Sequence, residues 1–462
     1  MKSFYVKQIQ HPWEAHDTTR SAKERTGRTM RLAQSDYGRL HNGGVRLVSH
    51  AFIVPERLVL NSLLTAPNVL GRVMSMTVPL LRRVLATQPF KIFQEELQFF
   101  YDHQEDKNSD RRAVVVRNFA EVRAALADPN AVAVLPAVEG SHNLGFEYCD
   151  GKFPEAKDRF GRPIEPAEAV NEKTVDERIA FIKRHGFFML TLNHFVYNRL
   201  ASMPKAVELT GWKKIAGNPL DSLNKLGDYR GLTYLGVYMV EKCFENNIFI
   251  DVKHCDAVTR RQIYALARKH RKPVIASHIA VSGRPSNLSG DFYLLNKSED
   301  RTQDRAAAEK FNPWDINLHD DDIVAIHASG GLMGLIMDVR VLSSANAEKQ
   351  ARKTGQWVEL VFNHIEYIYK TIVEAGFSPT NALDSICLGS DFDGIIDPID
   401  LVPTAEEYRS KPGERAKRLD SELLRLFTER RAFFADTGLD PEAMTRKILR
   451  ENVWRFLEKN FV

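Results

Sequence analysis

Residues 247–284 constrain the fold of this chain more than any other stretch. Ile248-Phe249-Ile250-Asp251-Val252-Lys253-His254 and Lys272-Pro273-Val274-Ile275-Ala276-Ser277-His278 are short apolar runs, each closing on a histidine. Between them, residues 256–270 carry Val258, Ile263, Leu266 and Ala267 at helical spacing. That sequence of patterns predicts a strand, a helix and a second, parallel strand. Both imidazoles then stand at the carboxyl ends of neighbouring strands. In a closed α/β barrel this rim carries the chemistry, because the loops converge there while the strand interiors fill with packing. A lone histidine after a strand is more often a hydrogen-bonded turn residue. Two at matching positions, aimed at one point, suit Zn2+ or a similar cation.

The same alternation extends along the chain. Major strand patterns occupy 45–54, 131–138, 187–192, 248–252, 273–277, 332–337 and 385–389, with a shorter one at 113–116. Helical patterns fill 121–126, 175–184, 232–246, 256–270, 320–327 and 356–374, followed by 415–437, 441–450 and 451–459. Right-handed crossovers between parallel strands predict an α/β fold, a TIM-type (β/α)8 barrel. Such a barrel needs eight strands, so the first is expected to be missing or displaced. The chain reads as one barrel domain, 1–462, with an irregular segment at 1–42. Insertions at 145–170 and 285–316 are expected over the mouth, and extra helices over 405–462.

Three further strand ends carry reactive side chains. Residues 131–138 run into Glu139-Gly140-Ser141-His142, 187–192 into Asn193-His194, and 385–388 into Gly389-Ser390-Asp391. Arg284, at the base of the second insertion, either meets a carboxylate in fork geometry or is solvated. His364 lies within a helix pattern and reads as a packed or surface residue. His11, His16 and Asp17 read as surface residues, and His50 lies inside the strand at 45–54.

Composition narrows the classes. The 64 basic and 60 acidic residues leave a net charge of +4, too even for a nucleic-acid or anionic-membrane binder. Cys149, Cys243, Cys255 and Cys387 are spread singly, which fits reduced thiols. Cys255 follows His254 and is expected to point away from it. No apolar run approaches the roughly 20 residues of a membrane span, and the amino terminus lacks the apolar core of a secretory signal. A soluble, cytoplasmic protein is the expectation.

Five motifs, in order, resemble those of the membrane (renal) dipeptidase family of zinc peptidases, within the amidohydrolase superfamily. They are Val138-Glu139-Gly140-Ser141-His142, Thr191-Leu192-Asn193-His194, Ile250-Asp251-Val252-Lys253-His254, Pro273-Val274-Ile275-Ala276-Ser277-His278 and Gly389-Ser390-Asp391-Phe392-Asp393-Gly394. The resemblance covers roughly residues 130–395, and Asn452-Val453-Trp454-Arg455 is similar to the last helix of the family. It implies two Zn2+ per chain. Glu139 would bridge them, His254 and His278 would bind one, and Asp391 would bind the other and exchange protons. His194 would orient the substrate or stabilise its oxyanion, and Arg284 would hold a substrate carboxylate, although its surroundings depart from the paired arginines of the family.

A larger departure lies at the first strand. The family supplies a His-x-Asp or His-x-His motif there, whereas His50 is followed by Ala51 and Phe52 in a segment that corresponds to the second strand. Met1-Lys2-Ser3-Phe4 resembles sequence that ordinarily follows the first strand, so truncation is the expectation. One metal would keep three ligands and the other only Glu139 and Asp391, leaving that site weak or empty, with His11, His16 and His50 as candidate substitutes. The implied activity is zinc-dependent hydrolysis of dipeptides by an activated water. Hydrolysis of another amide, an ester or a lactone stays open, as does a barrel that has lost catalysis and serves in binding. The implied partner is a dipeptide or similar small amide. Neither nucleic acid nor a membrane span is implied, and a homodimer is left open.

Overall fold

Apolar runs at the expected places become strands in a computed structural model that describes residues 34–57, 78–147, 165, 168–196, 198–202, 204, 231–286, 305–394, 396–411, 413 and 417–462. The chain divides into two compact units. Among the described residues the first holds Leu47–Arg117 and Ala133–His270. The second holds Asn118–Val132, Arg271–Val462 and the described part of Ala15–Arg46.

The first unit is built on β1 (Leu47–Phe52), β2 (Arg112–Val115), most of β3 (Ala131–Glu139), β4 (Met189–Thr191) and β5 (Phe249–Asp251). Strands β1, β3, β4 and β5 are parallel neighbours in that order, and β2 pairs with β3 to one side. The short pattern at 113–116 is thus a strand beside the main series. Every residue of β3 before Glu139 is buried, as a parallel strand covered on both faces requires. Its register with β4 and β5 places Glu139 opposite Thr191, and Thr191 opposite Asp251. Three strand ends are therefore level.

Helices hold these ends in place. Glu172–Arg184 starts with a capping box in which the Asn171 side chain accepts from the Thr174 N–H, and it ends on Lys183 and Arg184, which suit the negative end of the helix dipole. Pro89–Asp102 packs on β1 through an aromatic cluster of Phe52, Phe93, Phe100 and Phe187. His50 belongs to that cluster, its ring stacked 4.5 Å from Phe52, and burial pushes its pKa well down. It is a packing residue.

In the second unit β6 (Ile275–Ile279), β7 (Leu332–Leu335) and β8 (Ile386–Leu388) are again parallel and in chain order. Their backbones approach so closely that a Cβ on Gly389 would lie 1.8 Å from the Ser277 carbonyl oxygen, so only glycine fits there. The helix Val358–Glu374 buries Phe362 against Phe427 and Phe434. The helix expected over 415–437 stops at Glu429, because Phe434 turns inward onto Phe362 and the Thr437 hydroxyl closes the turn on the Phe434 carbonyl. Asn452 donates from Nδ2 to the carbonyls of Leu383 and Ile386, both at 2.7 Å, tying the last helix to the entry of β8. The segment expected to be irregular over 1–42 is helical at Tyr37–Asn42, capped by Asp36. Residues 1–33, with His11, His16 and Asp17, lie outside the described residues, as do most of both insertions. Among the described residues no helix is long and apolar enough to cross a membrane.

Candidate metal centre

Glu139 is the last residue of β3, and His194 and His254 each stand three residues past the level ends of β4 and β5. The same offset from aligned strands brings the three side chains together. One ligand atom from each lies within 4.8 Å of the others, and His254 Nε2 is 3.3 Å from Glu139 Oε1. The His194 and His254 rings meet edge to face with centroids 4.8 Å apart. Two ligands of a tetrahedral zinc at about 2.0–2.1 Å are themselves about 3.3 Å apart, so the Glu139–His254 spacing fits a shared cation. Two imidazoles and a carboxylate are a donor set that zinc accepts.

Local sequence explains each placement. Thr191 donates its hydroxyl to Asp251 Oδ2 at 2.7 Å, locking β4 to β5 beneath the rim. Asp251 Oδ1 accepts from the Lys253 N–H at 3.0 Å, which folds the chain back sharply, and His254 takes a left-handed φ of 63°. Such a conformation is uncommon outside glycine and is a mark of functional turns. Burial holds the His254 pKa well below its ordinary value, with the His194 and Lys253 charges adding to the effect against that of Glu56, so the ring is neutral, as a ligand must be. After β3, Gly140 has φ 89°, and a Cβ there would lie 2.5 Å from the His142 ring. Glycine lets that ring fold under, where His142 Nε2 donates to the Val54 carbonyl at 2.6 Å.

Glu56 is the residue that sequence reasoning passed over. It is buried, and its Oε1 accepts from His194 Nδ1 at 2.9 Å and from the Phe195 N–H at 2.6 Å. Burial pushes its carboxyl up, but the imidazoles of His194 and His142 and the two hydrogen bonds outweigh this and hold it well below the usual carboxylate range. The signal was present, since Glu56 follows an apolar strand through Pro55 much as Glu139 follows Val138.

The other residues singled out in the sequence belong to the second unit. His278 lies inside β6, buried, with Nδ1 2.8 Å from the Ser277 hydroxyl. Asp391 stands three residues past β8, the offset of His194 and His254, and also has a left-handed φ, 58°. Arg284 is buried and its guanidinium donates to Asp315 Oδ1 at 2.9 Å and to the Pro313 carbonyl at 2.8 Å. Its carboxylate partner is thus one of the chain's own. His364 is a packed residue: Nδ1 accepts from the Val281 N–H and Nε2 donates to the Leu342 carbonyl. Cys255 is buried, its Sγ 3.9 Å from Asn193 Oδ1, and burial drives its thiol pKa well up, so it stays protonated.

The fold is of the α/β-barrel class to which metallopeptidases of known structure belong. The chain resembles the crystal structure of the dipeptidase AC, a metallopeptidase, with a TM-score of 0.52 and 18% identity over 93% of this chain and 90% of that one. It also resembles a metallopeptidase from Rhodobacter sphaeroides liganded with a phosphinate mimic of the dipeptide L-Ala-D-Ala, with a TM-score of 0.52 and 16% identity over 92% of this chain and 90% of that one. No protein-family model and no curated protein matches the sequence. At such identities the likeness shows the fold, and it is the fold the motifs implied.

Proposed function

We propose that the chain is a metal-dependent hydrolase of small amides, with dipeptides as the substrate class and zinc as the ion. The observation that carries this is the meeting of Glu139, His194 and His254 at level ends of β3, β4 and β5. The shared fold supports it, since one neighbour was solved with a dipeptide mimic. A bound cation would supply Lewis acidity, polarising a carbonyl and making water more acidic. Glu139 would hold it through its carboxylate and His254 through its neutral ring. His194 lies beside them with Nδ1 bound to Glu56, so a neutral ring carries its lone pair on Nε2. Asp391, His278 and Arg284 enter this reading in the roles the resemblance gives them, as proton carrier, further ligand and carboxylate anchor.

The test is zinc content per chain, measured alongside hydrolysis of a panel of dipeptides, simple esters and lactones with added Zn2+. Zinc near one or two per chain with dipeptide turnover abolished by His254→Ala supports the reading. Turnover of esters or lactones alone would move the substrate class, and a chain that takes up no zinc would point to a binding protein.

A further inference from the structure

Histidines in the loops after β3 and β4 are both held by the short segment that follows β1. The Val54 carbonyl takes the hydrogen of His142 Nε2, and two residues on, Glu56 Oε1 takes one from His194 Nδ1 and another from the Phe195 N–H. Oε1 already serves as the acceptor of the Phe195 N–H, so it faces the ring as an acceptor as well, and Nδ1 of His194 carries the hydrogen. An exposed imidazole has no such constraint and exchanges its two neutral forms freely. We propose that Glu56 is a positioning residue that fixes the tautomer and orientation of His194, reserving Nε2 for the metal centre. The part of this concerning the centre rests on the hydrolase reading, and the tautomer itself does not.

The geometry sets Glu56 apart from a merely structural buried acid. Both donors converge on one oxygen, Oε1, from consecutive residues, so the ring and its own backbone turn are fixed by a single acceptor. The side chain is 5% exposed, which leaves little room for a water to take its place. A carboxylate behind a ligand or electrophilic histidine is a general means of setting which nitrogen faces the reacting atoms.

The experiment reads the ring nitrogens directly, by 15N-detected histidine spectra of the full chain at mildly alkaline pH, with the His194 signals assigned through His194→Gln. In the wild type Nδ1 is expected to be protonated. Glu56→Gln keeps an oxygen where Oε1 stands and should preserve that form, whereas Glu56→Ala should release the ring to the Nε2–H form. Zinc affinity, from competition with a chelator, should fall about 10–100-fold in Glu56→Ala and recover in Glu56→Gln. A wild-type Nδ1 that reads as a lone-pair nitrogen overturns the proposal, as does a tautomer unchanged in Glu56→Ala. Spectra that follow expectation in a chain that binds no zinc would uphold the positioning role while removing the hydrolase reading.

Discussion

The rims of the two units are equally rich in candidate residues, and the contacts described at each are of different kinds. In the first unit, polar tips that leave level strand ends meet one another: Glu139 meets His254, and His194 meets both His254 and Glu56. Other pairs are described in the second. His278 meets the neighbouring Ser277, Arg284 meets Asp315, and His319 meets the Ser282 hydroxyl at 2.9 Å. In the first unit register accounts for the meeting, since Glu139, Thr191 and Asp251 lie side by side and the offset past them is repeated.

Substitutions should test each rim in turn. Glu139→Gln and His254→Ala are expected to lower dipeptide hydrolysis more than about 100-fold and to deplete bound zinc, with thermal unfolding little changed. An equal loss of folding would erase the contrast. Arg284→Met should instead cost about 3–5 kcal/mol in urea unfolding, because it leaves the Asp315 carboxylate without its buried partner. Unchanged stability with a raised KM would place Arg284 among the substrate contacts.

Acid titration sharpens the comparison further. Burial lowers the pKa of His364 to about 3, so the folded state refuses a proton that the unfolded chain takes up near pH 6.5. Its contribution is fully present above that value and is lost as pH falls towards 3, at about 1.4 kcal/mol per pH unit. His364→Gln, which can still accept from Val281 and donate to Leu342, should flatten that slope in urea melts taken between pH 6 and 4. The smallest effect expected is that of Asn452→Ala, about 1–2 kcal/mol, from two carbonyls near β8 losing their donor. Chemical denaturation reads it directly.

The strands were legible because each is a buried apolar run, and the rim residues because they follow those runs directly. Glu56 shared that signal, but its pairing was hidden, since its partner His194 lies 138 positions away and the turn after β1 that joins them is marked by no periodicity. Arg284 was visible as a cation, but its contact with Asp315, 31 positions on inside a polar insertion, was not. The break after Glu429 was hidden for a related reason. Phe433 and Phe434 continue a helical pattern, and the turn is favoured by the Phe362, Phe427 and Tyr369 rings already in place.

The left-handed backbone at His254 and Asp391 separates two selection pressures. A library at these two positions, screened only for how much intact protein accumulates, should be won by glycine and asparagine, which adopt that conformation readily. Screened for growth that depends on cleaving a supplied nutrient, the same library should return histidine and aspartate. The distance between the two winning sets would measure how far the turn is kept for what it presents to substrate.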